Sequence, residues 1–172
     1  MCAERLKETP SQTAGPYVHI GTLPAAAGLE GHEDKTPWRT GLAGAPIIVE
    51  GVIRDGNGEL VRDAMVEIWQ ADADGQFDEH GQRGFARSMT DFETGVFRFE
   101  TVKPGRVTLS DGRLQAPHLS FYIFARGINI HLHTRVYFSD EAAANDADPV
   151  LNLADVSTRQ STLIAQHESR NS

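Results

Sequence analysis

DFETGVFRFETVKPG, Asp91 to Gly105, alternates with a period of two. Phe97, Phe99 and Thr101 fall on one face and Arg98 and Glu100 on the other, the pattern of a strand with one side on a core. The same reading extends outward from it. PIIVEGVIRD (Pro46 to Asp55) is β-branched and runs into the turn DGNG. In AMVEIWQAD, Met65, Glu67 and Trp69 share one face and Val66 and Ile68 the other, so that strand is expected between layers. After the polar loop QFDEHGQRG come FARSMTD, HLSFYIFA and INIHLHTRVYF. Strand-length runs separated by Gly/Asp turns predict an all-β chain, a β-sandwich or barrel.

The two ends read differently. Residues 1–45 include TLPAAAGLEGHEDKTPWRTGLAG, rich in Pro, Gly and Ala, and are expected to form a long irregular arm with at most a short helical turn. An arm of that length is expected to pack on a partner. Residues 46–172 are expected to form the sandwich domain. In its last part, Ser139 is expected to cap a short helix through DEAAAN, stopped at Asp148-Pro149. A second short helix is expected through STRQSTLIA.

The chain has 172 residues, enough for one domain, and a formal charge of −8 with no basic cluster, which argues against nucleic acid. An anionic substrate would have to be met by individual arginines. No apolar run approaches the roughly 20 residues of a membrane span. The N-terminus MCAERLKETPSQ lacks the apolar core of a secretory signal, and Cys2 is the single cysteine, so the reading is a soluble cytoplasmic protein.

His131 and His133 sit two apart in a strand-like run, where both imidazoles would share a face and can chelate a metal. The competing reading is that they hydrogen-bond polar partners or pack at a subunit interface, since a metal needs further ligands and their supports.

Five stretches together resemble the intradiol ring-cleaving dioxygenases: TAGPYVHIG, VRDAMVEIWQADADG, TDFETGVFRFETVKPG, APHLSFYIFARGINIHLHTRVYFSDE and DPVLNL. ARGINIHLHTR and GPYVHIG resemble the α chain of the two-subunit members; EIWQADADG and VKPG are wider family features. The resemblance implies a β-sandwich, a ferric ion held by two tyrosines and two histidines, and O2-dependent opening of a catechol ring between its hydroxyl-bearing carbons. In the two-subunit members it implies that a homologous β subunit carries the iron, with protocatechuate and O2 at a site shared by both chains.

On this resemblance the ligand positions fall at Phe77, Val107 (beside Arg106), His118 and Ser120. Phenylalanine keeps the ring and loses the ligating oxygen; valine, arginine and serine do not replace a tyrosinate or imidazole. One ligand of four remains, so this chain is expected to bind no metal and to be inactive alone. His131 and His133 lie on the strand after those positions.

The resemblance also implies that the arm reaches the partner's substrate pocket, with Thr13, Gly15, Pro16 and Tyr17 as lining residues. Arg126 is the cation expected to orient the carboxylate that distinguishes protocatechuate from catechol. Arg135 is expected to form a salt bridge. The ending QHESRNS departs from the family α chains, which continue with another extended segment; a truncated or diverged ending would leave a sheet edge for a partner to cover. Two alternatives stand beside this reading: a self-sufficient His-based metalloenzyme on a β-sandwich, and a non-catalytic binding module.

Overall fold

The computed structural model describes residues 10, 12–25, 27–30, 42–78, 80 and 83–168. Its strands are β1 (Pro46–Val52), β2 (Met65–Trp69), β3 (Phe85–Met89), β4 (Val96–Val102), β5 (His118–Phe124), β6 (Leu132–Phe138) and β7 (Ile164–Ala165). The helices are short: α1 (Val18–Thr22), α2 (Ala142–Asp146) and α3 (Ala154–Ser157). Among the described residues, none is long and apolar enough to cross a membrane.

β1 and β4 form an antiparallel pair; β3-β2-β5-β6-β7 form a five-stranded sheet, antiparallel except for the parallel β6–β7 contact. The alternation in β4 has the predicted consequence. Phe97 and Phe99 point inward onto Val66, Ile68, Leu119 and Phe121, and that apolar layer joins the sheets. The ring of Phe121 lies 5.9 Å from Phe97 and 6.3 Å from Phe99. Gly51, opposite Phe97, has a reason to lack a side chain: a Cβ there would meet that ring at 2.6 Å.

Gln70, just beyond β2, ties the layers with polar bonds. Its amide donates to the Val102 carbonyl at 3.0 Å, and its Oε1 accepts from the Thr101 hydroxyl at 2.7 Å. The buried amide is therefore satisfied on both ends.

Among the described residues of the expected arm the one helix is α1, and the segment around it packs on the chain's own sheet. Leu23 is buried, and the Thr22 hydroxyl sits 3.1 Å from the Met65 sulfur. Residues 31–41, also part of the expected arm, lie outside the described residues.

Two expectations for the C-terminal part need correction. Ser139 caps no helix: it begins a 3₁₀ turn, Ser139–Glu141, that leads into α2, and its Oγ accepts the His167 N–H at 2.8 Å. STRQSTLIA is not one helix either. α3 ends at Ser157, a 3₁₀ turn covers Gln160–Leu163, and Ile164 and Ala165 pair with Tyr137 and Phe138. Pairing with β6 outweighs local helical preference there. The stop at Asp148-Pro149 holds, with α2 ending at Asp146.

Candidate functional site

The five-stranded sheet turns its second face away from the core, and strand alternation decides which residues it carries: Glu67 and Trp69 from β2, Phe85 and Arg87 from β3, His118, Ser120 and Tyr122 from β5, and His133, Arg135 and Tyr137 from β6. Trp69 is the cross-strand partner of Ser120, and Phe77 stacks on its indole at 6.2 Å and 8°. Two of the four sequence-assigned ligand positions therefore meet at Trp69.

The loops that bring the other positions in are wedged together. Gly75 has φ +76° and lies so close to the Arg106 carbonyl that a Cβ would come within 1.9 Å of it. The Gly105 N–H donates to the Asp72 carbonyl at 2.8 Å. From there, the Val107 carbonyl accepts the Gln115 N–H at 2.8 Å. Gln115 gathers two cations, Arg106 and Arg135. The Arg106 Nε donates to its carbonyl at 3.4 Å, and the Arg135 guanidinium donates to its Oε1 at 2.7 Å.

Among the described residues Arg135 makes no salt bridge, against expectation; its second partner is the Tyr137 phenol oxygen at 3.3 Å. The Tyr137 and His118 rings lie with centres 5.5 Å apart at a tilt of 33°, and His118 Nδ1 is 2.8 Å from the Ala116 carbonyl. Burial pushes the Tyr137 phenol up and the His118 imidazole down from their ordinary values, so both are held neutral. Beneath them is Asp148, wholly buried, accepting backbone N–H groups from Ala116, Val150 and Leu151 at 2.6, 2.8 and 2.9 Å.

A ferric ion does not fit this donor set. Phe77 and Val107 offer no oxygen, Ser120 offers a neutral hydroxyl, and His118 stands alone as an imidazole. Among the described residues, no three His, Cys, Asp or Glu side chains converge as metal ligands. The outer face instead carries an open trough of about 410 Å³ lined by Glu67, Trp69, Phe85, Tyr122, Phe124 and His131. His131 precedes β6 rather than lying on it, and both histidines gather on Tyr122: His133 stacks at 4.5 Å and His131 is tilted at 5.1 Å. Their neighbours are rings.

The residues assigned to the arm lie at the end of β5 away from His118. The Thr13 hydroxyl donates to the Ala125 carbonyl at 3.4 Å, and accepts the Gly15 N–H at 3.3 Å. Gly15 has φ +71°, a conformation open to glycine, and Pro16 follows into the turn that starts α1. Tyr17 is 74 % exposed. Arg126, next to Ala125, pairs with Asp63: its Nε donates to Asp63 Oδ2 at 2.5 Å, and its Nη2 contacts the same oxygen. Thr13 and Arg126 are thus neighbours through the start of the β5–β6 turn. Asp63, Gln115 and Asp148 were missed in the sequence. Asp148 alone left a signal, since Asp before a turn often accepts the N–H groups two and three residues ahead.

The family model described as Dioxygenase matches residues 25–172. The protocatechuate 3,4-dioxygenase alpha chain of Pseudomonas putida is 49 % identical over 174 residues, covering 96 % of this chain and 87 % of the relative. The protocatechuate 3,4-dioxygenase beta chain of Burkholderia cepacia is 35 % identical over 107 residues, covering 55 % of this chain and 45 % of that one. Among solved structures, hydroxyquinol 1,2-dioxygenase from Pseudomonas putida DLL-E4 superposes with a TM-score of 0.60 at 20 % identity. That match covers 90 % of this chain and 64 % of the other, and it shows the shared fold.

Proposed function

The chain belongs to the intradiol ring-cleaving dioxygenase family, and we propose that it is the alpha subunit of a protocatechuate 3,4-dioxygenase that holds no iron itself. Enzymes of this family use ferric iron, and in this assembly the homologous beta subunit binds it. The complex cleaves protocatechuate with O2 to 3-carboxy-cis,cis-muconate. The reading is supported by one observation: a chain with this likeness to alpha chains carries Phe77, Val107 and Ser120 at three of the positions that the family resemblance assigns to iron ligands.

The chemistry left to this chain is binding and orientation. Thr13, Gly15, Pro16 and Tyr17 line the partner's pocket from the arm, the glycine admitting close backbone approach and the proline fixing the turn. Arg126 sits at the pocket rim. Its side chain is 64 % exposed although it is paired with Asp63, so a second anion, the substrate carboxylate, has access to the guanidinium. Residues 1–45 serve as the arm that holds the partner and residues 46–172 as the sandwich. The single cysteine fits a reducing, cytoplasmic setting.

Co-expression with an iron-bearing homologous chain, followed by purification through a tag on this chain alone, tests the assignment. The two chains are expected to co-elute in equal amounts. Elution of this chain without its homologue would overturn it.

A further inference from the structure

The ends of the arm segment are held differently. At one end Leu23 and His19 are buried, the His19 ring lying 5.7 Å from Phe92. At the other, Thr13 reaches the sheet through the Ala125 carbonyl. Between them Tyr17 and Ile20 stand exposed. Whether that span keeps its shape depends on how firmly Ala125 is held, and Ala125 begins a turn at the end of β5.

Asp63 does the holding. It is 5 % exposed, and its own backbone is pinned through Ala64: the Ala64 N–H donates to the Thr90 hydroxyl at 3.0 Å, and the Thr90 N–H donates to the Ala64 carbonyl at 2.9 Å. From this fixed turn the carboxylate takes both Nε and Nη2 of Arg126 on one oxygen. Arg126 follows Ala125 directly, so locking its side chain limits the torsions that would swing the carbonyl away from Thr13.

We propose that Asp63 is a positioning residue: by clamping Arg126 it fixes the Ala125 carbonyl, which anchors Thr13 and sets the conformation of residues 13–17. Its effect on substrate rests on the reading of the arm as part of the partner's pocket; its effect on the arm does not.

The test is hydrogen exchange, read by mass spectrometry on the co-expressed two-chain complex, together with steady-state kinetics on protocatechuate. Asp63→Asn keeps size and removes the charge. It is expected to speed exchange in peptides spanning residues 13–23 about tenfold, with peptides from β2 and β5 unchanged. KM is expected to rise about fivefold with kcat within twofold. Arg126→Gln should reproduce the faster exchange and Arg126→Lys should restore part of the protection; the kinetics of these two variants also report the direct contact proposed for Arg126 with the substrate carboxylate, so only their exchange is compared. Should Asp63→Asn fail to give a folded complex, the Arg126→Gln and Arg126→Lys pair carries the comparison. Unchanged exchange in the arm would overturn the proposal whatever KM does. Faster exchange with unchanged KM would keep Asp63 as the anchor and remove the arm from the pocket.

Discussion

The Asp148 carboxylate accepts the Ala116 backbone N–H at 2.6 Å, two residues ahead of His118 on the strand that carries two assigned ligand positions. The same side chain caps the Val150 and Leu151 N–H groups. One acidic residue thereby joins the start of β5 to the C-terminal turns, within reach of Tyr137 at 3.5 Å. Asp148→Ala would strand three backbone donors and the Tyr137 hydroxyl, three of the four on residues with no exposure. The expected loss is about 3 to 5 kcal/mol of stability, measured by denaturant unfolding; a loss below about 1 kcal/mol would show that water satisfies the site.

Stability should also depend on His118. Burial lowers its affinity for a proton in the folded chain, with the Arg135 charge acting in the same direction and the Ala116 carbonyl opposing. The unfolded chain binds a proton at the ordinary histidine value of about 6.5. Above that pH both states are neutral and the group has no effect on the balance. Below it the unfolded state takes up a proton that the folded state refuses, so stability falls until the folded-state value is passed. Denaturation midpoints between pH 7.5 and 5.5 should decline in the native chain and decline less in His118→Phe. Equal slopes would remove His118 from the acid limb.

Gly75→Ala tests how the loops carrying Phe77 and Val107 are wedged. The new methyl would need to occupy space 1.9 Å from the Arg106 carbonyl, at a φ that L-residues avoid. A cost of at least about 2 kcal/mol is expected, with loss of near-ultraviolet signal from Trp69, on which Phe77 stacks. Gly56→Ala, where a Cβ meets nothing within 4 Å, is the control.

Tyr17 stands 74 % exposed on a segment anchored at both ends, the arrangement of a side chain presented to a partner. Tyr17→Ala is expected to weaken association of the two subunits by about 1 to 2 kcal/mol, as truncation of an interface tyrosine does, measured by dilution of the complex. Unaltered affinity would place the contact elsewhere.

The strands were legible because alternation is a local property. β4 could be read from Phe97, Phe99 and Thr101 alone, and β2 from the opposed sets around Val66 and Ile68. β7 was not legible, since Ile164 and Ala165 become a strand only by lying beside Tyr137 and Phe138. The assignment of Phe77, Val107 and Ser120 to ligand positions rests on the family resemblance and not on any local pattern. The roles of Gln115 and Asp63 could not be read, because a polar residue in a turn acquires its role from what the fold brings to it, and Asp148 shows only its local half, the N–H groups of Val150 and Leu151. Arg135 illustrates the same limit: its charge suggested a carboxylate, and the sheet gave it Gln115 and a phenol.

The central claim is that catalysis belongs to the two-chain complex and the iron to the partner. It is tested most directly by measuring iron content and protocatechuate-dependent O2 uptake on this chain alone and on the co-expressed complex. The account predicts a colourless, iron-free, inactive chain, and a red-brown complex with iron and O2 uptake. Stoichiometric iron, or turnover, in the chain alone would contradict it and make His131 and His133 the first residues to replace.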